Sequence, residues 1–310
     1  MPIRPRSAGL VAALGAAAAL LLTGCGSGAA PAAQQPAGAA AKIPVVTTTN
    51  VYGSIASAVG GDRVAVTSLL NDPSADPHNF EATPADATKV ADARILVMNG
   101  GGYDDFATKL AQAGGGDRKV VDVVELSGLK TAGDAEFNEH VWYSLPTVTK
   151  LAETLATDFT AADPAGASTY QAGATAFVEK VKGLQQRVDA IKAKDAGQRV
   201  AVTEPVPLYL VEAAGLVNAT PPEYSEAVEE DTDPPAAVLQ QTLDLFKGTP
   251  VRALLLNTQT QTPTTDQVKQ AAQTAGVPVV DVSETLPDGQ TDYVSWMSSQ
   301  IDALAAAVNR

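Results

Sequence analysis

The stretch FVEKVKGLQQRVDAI, Phe177–Ile191, lies past the middle of the 310-residue chain and determines how the chain is organised. Its apolar residues recur at spacings of four, three, four and three, namely at Phe177, Val181, Leu184, Val188 and Ile191. That spacing places them on one face of an α-helix. Asp163, as N-cap, and Pro164 predict the start of this helix, and Gly197 predicts its end.

This helix separates two sets of short β-branched runs. Counted from Pro164 to Lys194, it has about 31 residues and a length of roughly 46 Å. Candidate strands are Val45–Thr49, Val64–Leu70, Ile95–Met98 and Val120–Val124 before it, and Val200–Thr203, Arg252–Leu256 and Val277–Val282 after it. Strands that alternate with helices predict an α/β fold with parallel sheets. The helix either runs along two lobes and joins them, or is an ordinary long helix of one lobe.

The expected domain boundaries follow from this pattern. An N-terminal α/β lobe covers residues 42–145, and a C-terminal α/β lobe covers residues 198–310. The helical segment 146–197, which includes the long linking helix, lies between them.

The N-terminus has the pattern of a secretory signal. Arg4 and Arg6 precede an apolar run from Ala8 to Leu22, which at about 15 residues is shorter than most transmembrane helices. The run ends in Leu22-Thr23-Gly24-Cys25, which resembles the lipobox of bacterial lipoproteins. We therefore expect a lipoprotein signal peptide at residues 1–24, lipidation of Cys25, and a flexible Ala/Gly/Pro/Gln-rich tether at residues 25–41.

The cysteine content excludes an intramolecular disulfide, and the net charge argues against nucleic acid and anionic lipid as partners. Cys25 is the only cysteine, so no intramolecular disulfide can form. Loss of residues 1–24 removes two arginines and no acid, which changes the formal charge from −14 to −16. So acidic a protein repels nucleic acid and anionic lipid headgroups. Acyl chains on Cys25 are therefore expected to hold it at the cell membrane, on the extracytoplasmic side.

The chain has two histidines, and each lies in a segment with other polar or aromatic side chains. His78 lies in DPHNFEATP, residues 76–84, and His140 lies in NEHVWY, residues 138–143. Histidine is the commonest metal ligand among side chains, because its neutral ring nitrogen is a donor at ordinary pH. Both histidines are therefore candidate metal ligands.

Two acids and one polar segment follow predicted strands of the second half. Glu204 and Glu284 come directly or almost directly after a strand, where open α/β sheets bind their ligands. By position alone, the interpretation of either acid as a solvated loop residue is favoured over that of a ligand. Asn257–Thr262 also follows a strand, and it either lines the cleft near the metal or is a polar loop before the next helix.

Four segments together resemble a known family. The segment DPHNFEATP, continued by Ala91-Asp92-Ala93 and Asn99-Gly100, resembles the first signature of the zinc/manganese group of metal-binding solute-binding proteins of ABC transporters. The second signature is resembled by Glu139-His140-Val141-Trp142, and the third by Glu204 with Tyr209. The fourth is resembled by Ser283-Glu284-Thr285-Leu286 with Tyr293 and Met297, so all four stand in the family's order. The resemblance covers nearly all of residues 42–310. It implies two lobes joined by one long helix, with metal in the cleft held by His78, His140, Glu204 and Glu284.

The chain departs from the family pattern at identifiable positions. Ser144 stands where the family usually has Asp, so a carboxylate that could orient a ligand is missing. Glu284 replaces the usual Asp and is one methylene longer. The loop between Val124 and His140 contains no histidine, although many zinc-specific members carry a His-rich stretch there. Its acids are Asp134, Glu136 and Glu139.

Two imidazoles and two carboxylates form a mixed nitrogen and oxygen donor set. Such a set suits Zn, Mn or Fe(II) and disfavours Cu(I). Glutamates that bind through both oxygens would favour Mn or Fe(II) over tetrahedral Zn. Zinc should nevertheless bind more tightly than manganese in a test tube, so affinity ranking leaves Zn and Mn, and also Fe, open as cargo.

The sequence therefore predicts a monomeric lipoprotein that captures a divalent metal and delivers it to an ABC permease. A surface adhesin or a metal-storage lipoprotein on the same fold is the alternative. An organic-solute receptor would need aromatic platforms and arginine clamps, whereas this chain is poor in aromatic residues and few of its arginines lie near the motif segments. We expect no enzyme activity, because four protein ligands would leave no position for a reacting water and no HExxH segment is present.

Overall fold

The computed structural model of the chain describes residues 41–72, 77–131, 133, 137–249 and 251–310. The predicted signal peptide, the lipidation site Cys25 and nearly all of the tether lie outside the described residues, as do Asp134 and Glu136. Within the described residues, none of the helices combines the length and the apolar character needed to cross a membrane.

Helices and strands alternate along the described chain. The first part consists of β1 (Ile43–Thr49), α1 (Asn50–Gly60), β2 (Val64–Leu70), α2 (Pro84–Asp92), β3 (Ile95–Met98), α3 (Asp105–Gly114), β4 (Lys119–Asp122) and α4 (Val123–Ser127). Two long helices follow, α5 (Leu145–Ala162) and α6 (Ala167–Asp195). The last part consists of β5 (Arg199–Val202), α7 (Leu208–Ala213), β6 (Val217–Asn218), α8 (Pro222–Glu229), α9 (Ala236–Asp244), β7 (Leu254–Asn257), α10 (Pro263–Thr274), β8 (Val279–Val282) and α11 (Tyr293–Val308).

The strands form two four-stranded sheets with the same topology. Their orders are β2-β1-β3-β4 and β6-β5-β7-β8, and all neighbouring strands are parallel. The central strands β3 and β7 are buried along their whole length, because helices cover both faces of a parallel sheet. The predicted α/β fold with two parallel sheets is confirmed.

Helix α6 joins the two lobes. The five residues of the predicted apolar stripe are all buried. The helix packs against α1 of the first part, against the long helix α5, and against α7 and α11 of the last part. Residues of both parts, together with α6, form one continuous hydrophobic core. Of the two interpretations of this helix, the one in which it runs along both lobes is confirmed.

The start of α6 differs from the prediction. The helix has 29 residues, and Gly166 occupies the N-cap position that was predicted for Asp163. Residues Pro164–Gly166 form a separate 3-10 turn. The carboxylate of Asp163 instead accepts hydrogen bonds from Arg63 Nε and from Tyr170 Oη, each at 2.8 Å. The side chain that was predicted to cap α6 therefore binds Arg63, which lies 100 positions away in the sequence.

Several predicted strand limits need correction, and Val45–Thr49 and Val200–Thr203 become Ile43–Thr49 and Arg199–Val202. The run Val120–Val124 ends as a strand at Asp122, because the Asp122 side chain accepts a hydrogen bond from Glu125 N at 2.9 Å and caps α4. The run Arg252–Leu256 forms a strand only at Leu254–Asn257, and the run Val277–Val282 only at Val279–Val282. Strand β6 was not predicted, because two residues are too few for a periodic pattern.

Two glycines of α6 provide a matched test of its packing. A Cβ at Gly173 would lie 2.3 Å from the backbone oxygen of Val59 in α1, whereas a Cβ at Gly183 would meet nothing within 4 Å. We expect Gly173→Ala to lower the free energy of unfolding and Gly183→Ala to raise it by up to about 1 kcal/mol, because alanine favours helix. Urea unfolding measures both. Equal stabilisation by the two substitutions would show that α1 and α6 do not pack as described.

Candidate metal centre

Three polar side chains of the second sheet meet at one of its edges. Glu204 and Glu284 each follow a strand by two residues, β5 and β8, and Asn257 is the last residue of β7. Since β7 lies between β5 and β8, the carboxyl ends of these strands bring the three side chains together. All three residues are buried.

The Asn257 amide connects the two carboxylates. Its Nδ2 donates to Glu284 Oε1 at 2.9 Å and also to Glu204 Oε2. The backbone N of Glu284 donates to Gln259 Oε1 at 2.6 Å. Of the two interpretations of the segment Asn257–Thr262, the structure supports the one in which the segment lines the site.

His140 enters the site from the first part of the chain and is fully buried. Its Nδ1 lies 2.7 Å from Asn138 Oδ1. The amide nitrogen of Asn138 donates to the carbonyl of Pro205 at 3.1 Å, which turns the amide oxygen toward the ring. An amide oxygen only accepts, so Nδ1 of His140 carries the proton and Nε2 presents its lone pair.

Burial also determines the charge of this ring. The pKa of His140 lies well below its usual range, mainly because burial disfavours the imidazolium and secondly because of His78 nearby. The ring is therefore neutral at neutral pH, as a metal ligand must be.

Ligand atoms of His78, His140 and Glu284 converge within 4.8 Å of one another. His78 Nε2 lies 3.6 Å from Glu284 Oε2, and His140 Nε2 lies 3.9 Å from the same oxygen. Hydrogen bonds between N and O are shorter, about 2.7–3.2 Å. Two atoms bound to one tetrahedral ion at about 2.1 Å would be roughly 3.4 Å apart. The observed distances are therefore closer to those of ligands that share an ion.

Aromatic rings support the two imidazoles. The ring centroids of His78 and Tyr103 are 5.0 Å apart, and those of His140 and Trp142 are 5.1 Å apart. Tyr103 and Trp142 also contact each other, with centroids 4.9 Å apart. Both aromatic residues are buried, so they form a rigid wall behind the ligand atoms.

Glu204 is the predicted ligand that the structure does not bring into this group. Its carboxylate accepts a hydrogen bond from Asn257 Nδ2, the same nitrogen that donates to Glu284. Ser144 stands where the family usually has Asp. Its side chain accepts a hydrogen bond from Thr147 N at 3.4 Å and caps α5. Asn138, and not an acid, orients the His140 ring.

Two further acids reach the site, and the sequence did not indicate either as a ligand. Glu229 is the last residue of α8, and its Oε1 lies 3.5 Å from His140 Nε2. Glu139 and Glu229 form a second group with His78, again with one ligand atom from each within 4.8 Å. In the sequence, Glu229 belongs to an acidic helix end with no histidine beside it, which is a pattern typical of solvated surface.

The carboxylates of the site are crowded and poorly solvated. Burial raises the pKa of Glu229 to about 9, and the charges of Glu139, Glu204 and Glu284 add to this shift. Burial also raises the pKa of Glu139, although His78 partly opposes the shift. Negative charge held in such a place favours a cation as the ligand.

Hydrogen bonds tie the two sides of the site together. Tyr143 Oη donates to the carbonyl of Ser283 at 2.8 Å, and Tyr293 Oη donates to the carbonyl of Trp142 at 2.8 Å. The segment that carries His140 is thus fastened directly to the segment that carries Glu284.

Comparison with known proteins identifies the family. Residues 45–307 match the sequence profile of a family of periplasmic uptake components. The chain belongs to this family, which is described as ZnuA, zinc-uptake complex component A, periplasmic.

Individual relatives are distant but cover the chain. A manganese-binding lipoprotein of Halalkalibacterium halodurans is 24% identical over 300 residues, which are 94% of this chain and 96% of the relative. An iron-binding protein of Yersinia pestis is 26% identical over 292 residues, 90% of each chain. The solved structure of the periplasmic zinc-binding protein TroA from Treponema pallidum superposes with a TM-score of 0.74 at 20% identity. The superposition covers 87% of this chain and 100% of the TroA chain, which shows that the two proteins share a fold.

The raised pKa of Glu229 predicts how the stability of the metal-free protein depends on pH. The folded protein keeps a proton on Glu229 up to about pH 9, whereas the ordinary pKa is 4.5. The contribution of Glu229 to stability is therefore present below pH 4.5 and is lost as pH rises through 9. Since glutamine cannot ionise, we expect the melting temperature of Glu229→Gln, relative to wild type, to rise steadily across this interval.

Thermal melting in a chelator measures this difference. Glu230→Gln is the matched control, because Glu230 is the next residue and is exposed. An exposed charge contributes little to stability, so its removal should leave the melting temperature nearly unchanged. A Glu229→Gln difference that does not vary with pH would contradict the assignment of a protonated carboxyl.

Proposed function

We propose that the protein binds a divalent transition-metal ion outside the cytoplasm and delivers it to an ABC permease. One observation carries this proposal. His78, His140 and Glu284 direct ligand atoms at a common point, with the two nitrogens 3.6 and 3.9 Å from the same carboxylate oxygen. The first part of the chain supplies the imidazoles and the second part supplies the carboxylate, so an ion at that point holds both parts.

The proposed ligands are His78, His140, Glu204 and Glu284. Asn257 Nδ2 hydrogen-bonds to both carboxylates, so Glu204 lies one amide group away from Glu284. Release of Glu204 from this amide would let its carboxylate complete the set. The resemblance of the four segments to the family's motifs supports these roles.

The cargo is proposed to be Mn, Fe(II) or Zn. A nitrogen and oxygen donor set without sulfur suits all three. The description of the family names zinc uptake. The two relatives compared above by sequence are named as a manganese-binding and an iron-binding protein. Two glutamates that bind through both oxygens would favour Mn or Fe(II), and glutamates that bind through one oxygen would favour Zn.

The site is proposed to bind its metal and not to use it in catalysis. Catalytic zinc sites keep one position open for water. Four protein ligands would close the coordination sphere here. Metal contacts from both lobes would then stabilise the closed form, because an ion shifts the equilibrium only through contacts present in that form. Helix α6 and the tyrosine hydrogen bonds limit this motion to small rocking.

A lipid anchor on Cys25 is proposed to keep the protein beside its permease. Residues 25–41 would act as the tether, and the folded part would act as a monomer. The excess of negative charge argues against a nucleic-acid partner.

Metal content tests the proposed function. Residues 26–310, purified without chelator, are expected to contain about one equivalent of Mn, Fe or Zn by elemental analysis. Readdition of Mn, Zn or Fe(II) to the chelated protein should raise its melting temperature, since metal binds the folded state alone. His140→Ala should abolish the tight equivalent, because it removes a fully buried ligand.

The responses to different metals separate the candidates for cargo. A response to Mn comparable to that for Zn favours manganese or iron uptake, and a response to Zn alone favours zinc. Circular dichroism of His140→Ala controls for unfolding. A wild-type protein that contains no metal and shows no shift would refute the proposal and favour an adhesin or an organic-solute receptor.

The anchor has its own test. In Cys25→Ala, no thiol remains for acylation, so the protein is expected to move from the membrane fraction to the soluble fraction. Fractionation and immunoblotting measure this. Cys25→Ala protein that remains with the membrane would show that another segment holds it there.

A further inference from the structure

A cavity lies beside the candidate metal centre, between the end of α8 and the segment that leads to His140. Its volume is about 670 Å³. Five carboxylates are among the residues that line it: Glu139, Glu226, Glu229, Glu230 and Asp231. No lysine or arginine is among the described lining residues, and His78 lies at the wall as well. The electrostatic field of such a cavity attracts cations.

His78, Glu139 and Glu229 form a ligand-like group within this cavity. Each offers one ligand atom, and the three atoms lie within 4.8 Å of one another. His78 and Glu139 belong to the first part of the chain and Glu229 to the second. This group shares His78 with the site described above but contains neither His140 nor Glu284.

A separate observation shows that Glu229 also faces the inner ligands. Glu229 Oε1 and His140 Nε2 are both buried, lie 3.5 Å apart, and have no hydrogen-bond partner among the described residues. Because the proton of His140 is on Nδ1, its Nε2 presents a lone pair, and Glu229 Oε1 presents one as well once a bound ion has displaced the proton of this carboxyl. Two buried lone pairs that point at each other are stabilised by a positive ion between them.

We propose that His78, Glu139 and Glu229 form an outer cation position through which the metal enters the inner site. This proposal rests on the metal-binding function proposed above. A divalent ion first binds the outer three ligands. It then moves past Glu229 to His140 and Glu284, while His78 remains in contact with it. Because His78 serves both positions, one ion occupies them in turn.

Shared ligands give a physical reason for the relay. An ion that left the cavity for a dry site in one step would lose its hydration before it gained ligands. At the outer position, two carboxylates and one imidazole replace water while the ion is still beside the cavity. The cost of dehydration is thereby divided between two short moves.

The outer position can be isolated by damaging the inner one. Glu284→Gln keeps the shape of the side chain and removes an inner ligand that the outer group does not use. In the mature chain with this substitution, Mn²⁺ titration followed by EPR is expected to show binding weakened by tenfold or more, with one residual ion. Anomalous diffraction should place that Mn²⁺ between His78, Glu139 and Glu229.

Two double variants then assign the residual ion. Glu284→Gln with Glu139→Gln should lose it, and Glu284→Gln with Glu230→Gln should keep it, because Glu230 lines the cavity without belonging to the group. Equal losses in both double variants, no residual ion, or Mn²⁺ located beside His140 would each overturn the outer position. His140→Ala provides a second damaged inner site, and thermal melting confirms that each variant is folded.

Association kinetics test the route in the otherwise intact protein. Trp142 packs against His140, so its fluorescence is expected to report the arrival of metal. Stopped-flow mixing with Mn²⁺ should show association at least about threefold slower in Glu139→Gln than in Glu230→Gln. Equal rates would mean that only the overall negative field matters, and would refute the relay. A wild-type protein that binds no metal refutes the proposed function itself, which distinguishes the two failures.

Discussion

A single amide donor, Asn257 Nδ2, serves two buried carboxylates, and the organisation of the site depends on this arrangement. Glu204 and Glu284 are almost fully buried, and Glu139 and Glu229 lie close by. Buried negative charge is costly unless it is paired. The nearby imidazole of His140 is held neutral, so it cannot supply the opposite charge. A divalent cation can neutralise the cluster and use both kinds of donor.

The fold makes such a concentration of charge possible. Two parallel sheets of the same topology bring strand ends to the site, and α6 forms a common core with both lobes. Tyr143 and Tyr293 then fasten the His140 side to the Glu284 side through backbone carbonyls. Since these contacts are directional and buried, His140 and Glu284 are held close to each other before an ion arrives. Preorganisation of this kind lowers the cost of binding.

The site residues that the sequence indicated stand in distinctive local patterns, whereas the roles of the residues that it missed depend on contacts between distant parts of the chain. His78, His140 and Glu284 were found because rare histidines and strand-end acids stand in recognisable segments. Glu229 was missed because nothing local distinguishes an acid at a helix end that turns inward from one that faces water. Asn138 was missed as the orienting group because its role depends on Pro205, 67 positions away in the sequence.

The sequence by itself determined the α/β class, the parallel sheets and the apolar face of α6, because these depend on periodicity over neighbouring residues. It also indicated the two histidines and two glutamates as candidate ligands. Only the tertiary structure decided that Asp163 pairs with Arg63, that Asn257 joins Glu204 to Glu284, and that Glu229 reaches His140. These contacts join residues far apart in the chain, and their energies come from burial and charge that exist only after folding.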